Sequence, residues 1–475
     1  MPDINYLPYR RQFYIGPQPK LMDDSWQSCT LQNGLALSYS NYLPVQFVTG
    51  RNQWFFVLMG DAVESLPGKP DVVTSLQELS DIKSLPQVYA SWAGRWVLIA
   101  NHELHLDASG LLGCYFRIKE RLEVASVAGF IANAEKPDTF PLVKAGGAEF
   151  YPPPNSGFTH VSKLLPSQVL NLQTGNISVR NLQVPVPRLT YQESIEYLAR
   201  LLTTTLKNLY VQNSSKKLLL ALTGGFDSRV LMAALNFAKL PYEAITFHYS
   251  NIRPSDASIP KQLSQLCGIR HRLIRANRRN PKNWELYNQH TCGHSVETDR
   301  YYMLFQQFDE LEGGQSLLLR GGGFEVGRCA YYPWLPVQRI NGAAISAIQK
   351  GNELQGQSWD RWLEWVNKTP EIRLDWRDRY YIEQRLAGWL SCTEQALDIV
   401  NIDRQVPANS TLFFNVMLNI PEEIRKTKVQ MKDLIHYLDP KLLQLPINPP
   451  VSFYYKQYRR VLFKINKIRE KLNWV

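Results

Sequence analysis

The chain has 475 residues, of which 44% are hydrophobic, and a formal net charge of +11 at pH 7. That length predicts roughly two to four globular domains with sizeable cores. No run approaches the ~20 apolar residues of a membrane-spanning helix, and the start lacks the apolar core of a secretory signal, so we expect a cytoplasmic protein without a membrane span. The positive charge favours acidic partners such as nucleotides, acidic peptides, RNA or a membrane surface.

Residues 1–188 predict a β-rich first domain, because short apolar or alternating runs are separated there by Gly, Pro and Asn. Its clearest predicted strands lie at 54–59, 92–100 and 103–107. A polar, proline-containing connection at 183–189 follows, and Thr190 and Glu193 fit a capping box that opens the next helix. We therefore predict a domain boundary at 188, with a second domain over 189–475.

The segment 218–235 predicts a buried strand, a tight turn and a helix. Its apolar run ends at the turn 223–225, and an apolar pattern at helical spacing begins beyond it. Two adjacent glycines in this turn let the backbone approach a ligand closely and leave the first helix amides pointing outward, which suits an anion. Thr223 and Ser228 add hydroxyl donors, whereas Asp227 would repel phosphate unless a divalent cation lay between them. The turn therefore predicts a site for a magnesium-bound polyphosphate.

Strands and helices alternate beyond this turn, which predicts a parallel, doubly wound sheet. The predicted elements are strands at 244–249, 270–275 and 316–319 and a helix at 256–267. A second glycine turn, 320–328, follows the last of these strands. Ligands of such sheets bind beyond the carboxyl ends of neighbouring strands, so we expect Glu325 to face Asp227 across the site. The stretch 376–448 is mainly helical by pattern.

The first turn resembles the pyrophosphate loop, SGGxDS, of the asparagine synthetase family and its wider group of ATP pyrophosphatases. The matching residues are Thr223, Gly224, Gly225, Phe226, Asp227 and Ser228, with Thr keeping the hydroxyl of the usual Ser. The second turn resembles the family's SGEGxDE: Glu325 stands where an acid helps to hold magnesium, and Val326 replaces the second acid. The stretches SWAGRWVLIA, LHLDASGLLGCYF and FTHVSKLLPSQVLNL resemble the family's N-terminal glutamine amidotransferase domain.

This resemblance implies an α/β protein: a β-rich, Ntn-hydrolase-like N-terminal domain, then a doubly wound parallel-sheet ATP pyrophosphatase domain with a helical C-terminal part. It implies ATP and Mg2+ as cofactors and amide-bond formation on a small-molecule or peptide carboxylate, through an acyl-adenylate. Asp227 and Glu325 would be the catalytic and metal-binding residues. The implied nucleotide-binding residues are Leu222, Thr223, Gly224, Gly225, Phe226, Asp227, Ser228, Phe247 and Gly321. A homodimer is left open.

One departure from the family concerns ammonia. The family's glutaminase nucleophile is a Cys directly after the initiator Met, and here that position is Pro2. We therefore expect a scaffold without glutaminase chemistry and an amine supplied by the substrate, as in β-lactam synthetases or lasso peptide cyclases. Free ammonia, or ammonia from a separate glutaminase, stays open. One alternative is an RNA-modifying ATP pyrophosphatase. The glutaminase-like half disfavours it, so a nucleic-acid partner is not expected. The other alternative is a non-catalytic partner of a biosynthetic complex.

Several other features have structural interpretations that outweigh functional ones. The six cysteines are scattered, which favours reduced thiols. A metal site at His290, Cys292, His294 and Glu297 is disfavoured, because Gly293 interrupts the run. The stretch 456–474 predicts a basic amphipathic helix, which either packs on the protein body or binds an acidic partner. Candidates for the lysine that family members use near the adenylate are Lys428, Lys432 and Lys456, and no motif selects one.

Overall fold

The computed structural model describes residues 6–132, 143–145, 148–248, 254–275, 281–292, 308, 311, 313–349 and 353–450. Pro2, His294, Glu297, Lys456 and the rest of the basic C-terminal stretch lie outside the described residues. Among the helices in these ranges, none has both the length and the apolar character that crossing a membrane requires.

The first part of the chain forms two antiparallel six-stranded sheets, as the β-rich prediction requires. Its elements are β1 Phe13–Gly16, β2 Trp26–Thr30, β3 Ala36–Ser40, β4 Val45–Thr49, β5 Phe55–Glu64, α1 Val72–Gln77, α2 Leu85–Val88, β6 Trp92–Ala100, β7 Glu103–Leu106, β8 Tyr115–Ile118, β9 Leu122–Ala125, β10 Val143–Ala145, β11 Ala148–Phe150, β12 Ser162–Lys163, β13 Gln168–Asn171 and β14 Ile177–Val179. The strand orders are β12-β8-β9-β1-β3-β2 and β14-β13-β7-β6-β5-β4, while β10 pairs with β11.

The two large sheets pack face to face, and the alternation of side chains along β5 shows how. Val57 and Met59 point into the core that the sheets share, where they meet Phe13 of β1. The intervening Phe56 and Leu58 point to the other face and pack with residues of α1 and α2. Both faces of β5 are therefore buried, which explains its nearly continuous apolar sequence.

The second part of the chain alternates strands and helices. Its elements are α3 Tyr191–Gln212, β15 Lys217–Ala221, α4 Phe226–Phe237, β16 Glu243–His248, α5 Pro254–Cys267, β17 His271–Arg275, α6 Pro281–His290, β18 Ser316–Leu319, α7 Gly342–Ile348, α8 Glu353–Lys368, α9 Trp376–Tyr380, a π-helical part Tyr381–Leu390, α10 Ser391–Leu397, β19 Asp403–Gln405, α11 Thr411–Asn419, α12 Glu422–Thr427 and α13 Val429–Leu438. Segments α9 to α10 form one continuous helix.

Five strands of this part form a parallel sheet in the order β17-β16-β15-β18-β19. This order confirms the predicted doubly wound sheet, and it reverses between β15 and β18. Ligands of such sheets bind at the reversal, because the helices that follow the two strands leave on opposite faces and open a crevice. The prediction for 376–448 missed β19, a strand of three residues inside a stretch that is otherwise largely helical.

The connection between the two parts leads into the predicted capping box. The Thr190 hydroxyl accepts a hydrogen bond from the Glu193 amide, and Glu193 accepts one from the Thr190 amide at 2.7 Å, so α3 begins as predicted. Val63 of β5 and Leu111 share one apolar core with residues of α3 and the parallel sheet. The two parts of the chain are therefore packed on one another, and the division at 188 stays a prediction.

A buried cluster of charges also joins the two parts. Arg95 of β6 is fully buried and donates to both carboxylate oxygens of Asp398, at 3.0 and 2.7 Å. Arg404 of β19 donates to Asp398 at 2.6 Å and to Glu394 at 3.0 Å. Glu394 also accepts from Arg320, the residue that follows β18. This arrangement links the first part of the chain to the edge of the parallel sheet.

Candidate active site

Two glycine turns meet at the carboxyl edge of the parallel sheet, where its strand order reverses. The first follows β15 and leads into α4, whose N-cap is Gly225 and which has no side-chain cap. The second follows β18 and continues as a short 3-10 helix, Phe324–Arg328. A Cβ on Gly321 would lie 2.8 Å from Cβ of Asp227 and 3.0 Å from the Ser228 amide nitrogen. Glycine at this position therefore allows the two turns to touch.

A cavity of about 450 Å3 opens between these turns. Its lining includes the predicted site residues Leu222, Thr223, Gly225, Phe226, Asp227, Ser228, Phe247, Gly321 and Glu325. Gly224 does not line the cavity, and its amide donates to Asp256 Oδ1 at 3.0 Å. The structure thus brings together the residues that the sequence predicted from two turns nearly 100 positions apart, in a space large enough for a small ligand.

The hydrogen bonds within the first turn define which of its groups can meet an anion. The Thr223 amide donates to Ser228 Oγ at 3.0 Å, and the Gly225 amide donates to Thr223 Oγ1 at 3.2 Å. The first amides of α4, beginning at Phe226, lack acceptors within the helix, and no side chain caps them. The hydroxyls of Thr223 and Ser228 also hydrogen-bond each other at 3.1 Å. The helix amides, with at most one of these two hydroxyl protons, are therefore the donors that the turn presents to an anion.

The carboxylates of Asp227 and Glu325 lie together and share one arginine. Arg328 Nη2 is 3.0 Å from Asp227 Oδ1 and 3.0 Å from Glu325 Oε1. Burial and the neighbouring Glu325 carboxylate raise the pKa of Asp227 to about 8. Burial, followed by the same carboxylate, holds the pKa of Tyr381 well above its usual range, so its hydroxyl stays protonated and hydrogen-bonds Glu325. The predicted opposition of Asp227 and Glu325 is therefore present in the structure.

Magnesium fits this pair of carboxylates. It is commonly held by one or two protein carboxylates together with phosphate oxygens and water, and the cavity brings both carboxylates to a helix start, a position that favours anions. Among the described residues, no group of three or more His, Cys, Asp or Glu side chains forms a metal site. A metal ion held by Asp227 and Glu325 would therefore need further ligands, such as phosphate oxygens.

Several residues that line the cavity were not predicted from the sequence. They are Asp256, Arg320, Arg328, Trp389, Thr393 and Asn448. Asn448 is brought there because Arg229, fully buried in α4, donates to the carbonyls of residues 442, 445 and 446 and so holds the chain beside the turn. Lys428 and Lys432 are exposed and do not line the cavity. Among the described residues, the cations at this site are therefore arginines.

His290 is held by hydrogen bonds that join the first part of the chain to the second. Its side chain is buried, its Nε2 lies 2.8 Å from the Gln395 carbonyl, and Gln12 donates to its own carbonyl at 2.9 Å. Burial lowers the pKa of His290 to about 4, so the imidazole is neutral and donates from Nε2. It links the first part of the chain to α10.

This burial predicts a dependence of stability on pH. The unfolded chain binds a proton on His290 below about pH 6.5, whereas the folded protein does not bind it until about pH 4. Stability should therefore fall as the pH falls from 6.5 to 4, by up to about 3 kcal/mol for this group. The free energy of unfolding, measured by urea denaturation at several pH values between 7.5 and 4.5, should fall less steeply with pH in His290→Gln than in the wild type. The control His436→Gln, at an exposed position, should show the same pH dependence of stability as the wild type. The same pH dependence in all three proteins would contradict the prediction.

Comparison with protein-family models gives no match, and comparison with the curated proteins gives none either. Among solved structures, the chain is similar to the glutamine-dependent NAD+ synthetase from Acinetobacter baumannii in complex with ADP, with 12% identity and a TM-score of 0.22 over 34% of this chain and 31% of that one. It is similar to the NMN synthetase from Francisella tularensis, with 14% identity and a TM-score of 0.19 over 34% and 71%.

A third similar structure is the glutamine phosphoribosylpyrophosphate amidotransferase from B. subtilis complexed with ADP and GMP, with 10% identity and a TM-score of 0.22 over 57% of this chain and 61% of that one. The match to the NAD+ synthetase spans less than a third of that enzyme's chain. These likenesses are partial, and the fold assigned to this protein rests on its own sheets, described above.

Proposed function

We propose that the protein forms an amide bond at the expense of ATP, through an acyl-adenylate. The observation that carries this proposal is the meeting of Asp227 and Glu325 beside the uncapped start of α4, in a cavity at the reversal of a parallel sheet. Helix amides favour phosphate, and paired carboxylates favour the magnesium that accompanies it. The resemblance of both turns to those of the asparagine synthetase family adds the reaction type.

In the proposed reaction, a substrate carboxylate oxygen attacks the α-phosphorus of ATP, and the bond to the bridging oxygen breaks to release pyrophosphate. The first amides of α4, with the hydroxyls of Thr223 and Ser228, would hold the negative charge that develops on the leaving group. Magnesium, held by Asp227 and Glu325, would supply Lewis-acid stabilisation of that charge. Leu222 and Phe247 would cover the nucleoside. An amine then attacks the acyl carbon, loses a proton and releases AMP.

The acid that enters this site would be a peptide or small-molecule carboxylate. One wall of the cavity consists of Trp389, Thr393 and Leu397, which recur every four residues and so share a face of the continuous helix that ends in α10. Arg320 lies next to this wall, and its guanidinium could meet an anionic substrate. We propose that the same substrate supplies the amine, so that the product is a ring or a ligated amide.

Exchange of labelled pyrophosphate into ATP tests this proposal directly. The protein would be assayed with Mg2+ against a panel of peptides, small carboxylic acids and RNA. Acid-dependent exchange, with AMP formed in step with amide, is the expected result. Exchange that depends on RNA alone would support an RNA-modifying enzyme instead, and absence of exchange with every member of the panel would support a non-catalytic partner.

A further prediction concerns glutamine. Thioester chemistry requires a thiolate, yet burial raises the pKa of both Cys29 and Cys114, the thiols described in the first part of the chain. We expect no glutamate from glutamine, with or without ATP and acceptor, and no gain in product when glutamine is added. Ammonium chloride serves as the matched nitrogen source. Glutamate appearing in step with product, in protein freed of contaminating glutaminase, would restore a glutamine-dependent enzyme.

A further inference from the structure

The guanidinium of Arg328 contacts both carboxylates of the candidate metal site. Its Nη2 lies 3.0 Å from an oxygen of each carboxylate that the proposed function assigns to magnesium, Asp227 and Glu325. Its side chain is only 12% exposed, and that exposed part lines the cavity. Because one guanidinium nitrogen touches an oxygen of each carboxylate, it occupies the position from which a divalent cation would bridge them, and the two cations would compete for these oxygens.

The second cavity arginine is held differently. Arg320 pairs with Glu394, which is fully buried and also accepts from Arg404. Glu394 does not line the cavity and is shared with Arg95 and Arg404, so a ligand in the cavity would not compete for it. Of the cations that line the cavity within the described residues, Arg328 is therefore the one whose acidic partners a metal ion would claim.

The backbone that precedes Arg328 is held by contacts with two helices, so the proposed change of partners would involve the side chain alone. Gln430 of α13 donates to the Gly327 carbonyl at 2.6 Å, and Gly327 packs against Met417 of α11. Arginine remains charged under all working conditions, and its planar fork of N–H donors matches phosphate oxygens. A guanidinium displaced from the two carboxylates would find the phosphate chain in the same cavity.

We propose that Arg328 exchanges partners during nucleotide binding, on the premise that the proposed function is correct. In the empty enzyme it bridges Asp227 and Glu325. When the magnesium nucleotide binds, the metal takes the carboxylates, and Arg328 turns to the phosphates. Arg328 would thus be a further catalytic residue, which supplies a cationic contact of the kind expected of Lys428, Lys432 or Lys456.

The proposed change of partners predicts that one substitution of Arg328 strengthens metal binding and weakens nucleotide binding. In Arg328→Met, Mn2+ alone should bind about tenfold more tightly than to wild type, because the competing charge is gone. Mg·ATP should bind about tenfold more weakly, because a charge-assisted contact to phosphate is lost. Arg328→Lys should keep weak Mn2+ binding. The matched control is Arg361→Met, which removes a positive charge that hydrogen-bonds Asn155 and Ser162 and does not line the cavity.

Titration calorimetry would measure both affinities, with paramagnetic resonance to count bound Mn2+ and thermal melting to verify folding of each variant. Unchanged Mn2+ binding in Arg328→Met would overturn the competition, and unchanged Mg·ATP binding would overturn the phosphate contact. Weakening of both affinities would mean that Arg328 only supports the structure. The Mn2+ measurement needs no turnover, so it remains decisive even if no acid in the panel supports pyrophosphate exchange and the proposed function fails.

Discussion

Asp227→Ala should lower acid-dependent exchange of pyrophosphate into ATP by about a thousandfold, because a metal-holding carboxylate supplies several kcal/mol of charge stabilisation and each tenfold in rate corresponds to about 1.4 kcal/mol. The fold should survive. The side chain is 17% exposed at the start of α4, outside the apolar core. Its raised pKa means that burial of this carboxylate opposes folding near neutral pH, so the melting temperature should hold or rise.

Two further variants make this test specific. Glu325→Gln keeps the volume of the second carboxylate and removes its charge, so it should raise the magnesium concentration needed for half-maximal exchange. Asp433→Asn removes a charge on α13 that binds Tyr191, away from the cavity, and should exchange at the wild-type rate. Wild-type exchange in Asp227→Ala would reject the role proposed for this turn.

The strands of the fold could be predicted where their ends are marked by local residue types. Strand β18 lies at the predicted positions. It could be predicted because two glycines precede it at 313 and 314 and a glycine turn follows it at 321. Strand β6 likewise matches its prediction, since Gly, Asn and Pro separate the apolar runs around it. In both cases an apolar run indicated the strand, and the turn-forming residues beside it indicated where the strand ends.

Strand β19 could not be predicted in the same way. Its three residues, Asp403, Arg404 and Gln405, are polar, so they show neither alternation nor an apolar run. Arg404 is buried there because Glu394 and Asp398 of the neighbouring helix and its end accept its hydrogen bonds. The strand therefore depends on partners brought together by the tertiary fold.

The candidate site could also be predicted only in part from the sequence. Both turns could be found from their glycines and acids, but the role of Arg328 could not, because its partner Asp227 lies about 100 positions earlier in the chain. The two meet because Gly321 lets the second turn touch the first. The burial of His290 against Gln12 likewise could not be predicted, because it depends on the packing of the first part of the chain.

The interface between the two parts of the chain depends on buried charge, and Arg95 provides the clearest test of it. Burial alone would raise the pKa of Asp398, yet Arg95 and Arg404 hold that pKa well below its usual range. Removing one partner from a buried ion pair leaves an uncompensated charge, which typically costs about 3–5 kcal/mol. Arg95→Met should lower the free energy of unfolding by about this amount at pH 7, measured by urea denaturation.

Two comparisons show whether this loss comes from the charge. Arg373→Met, at an exposed position, should change the free energy of unfolding by less than about 0.5 kcal/mol. Because the folded pKa of Asp398 is depressed, its contribution to stability is present above the unfolded pKa and is lost on acidification. The difference between Arg95→Met and wild type should therefore shrink as the pH falls below about 4. Equal stability of the two proteins at pH 7 would show that Arg404 and Arg320 alone balance Asp398 and Glu394, and that the interface rests on its apolar contacts.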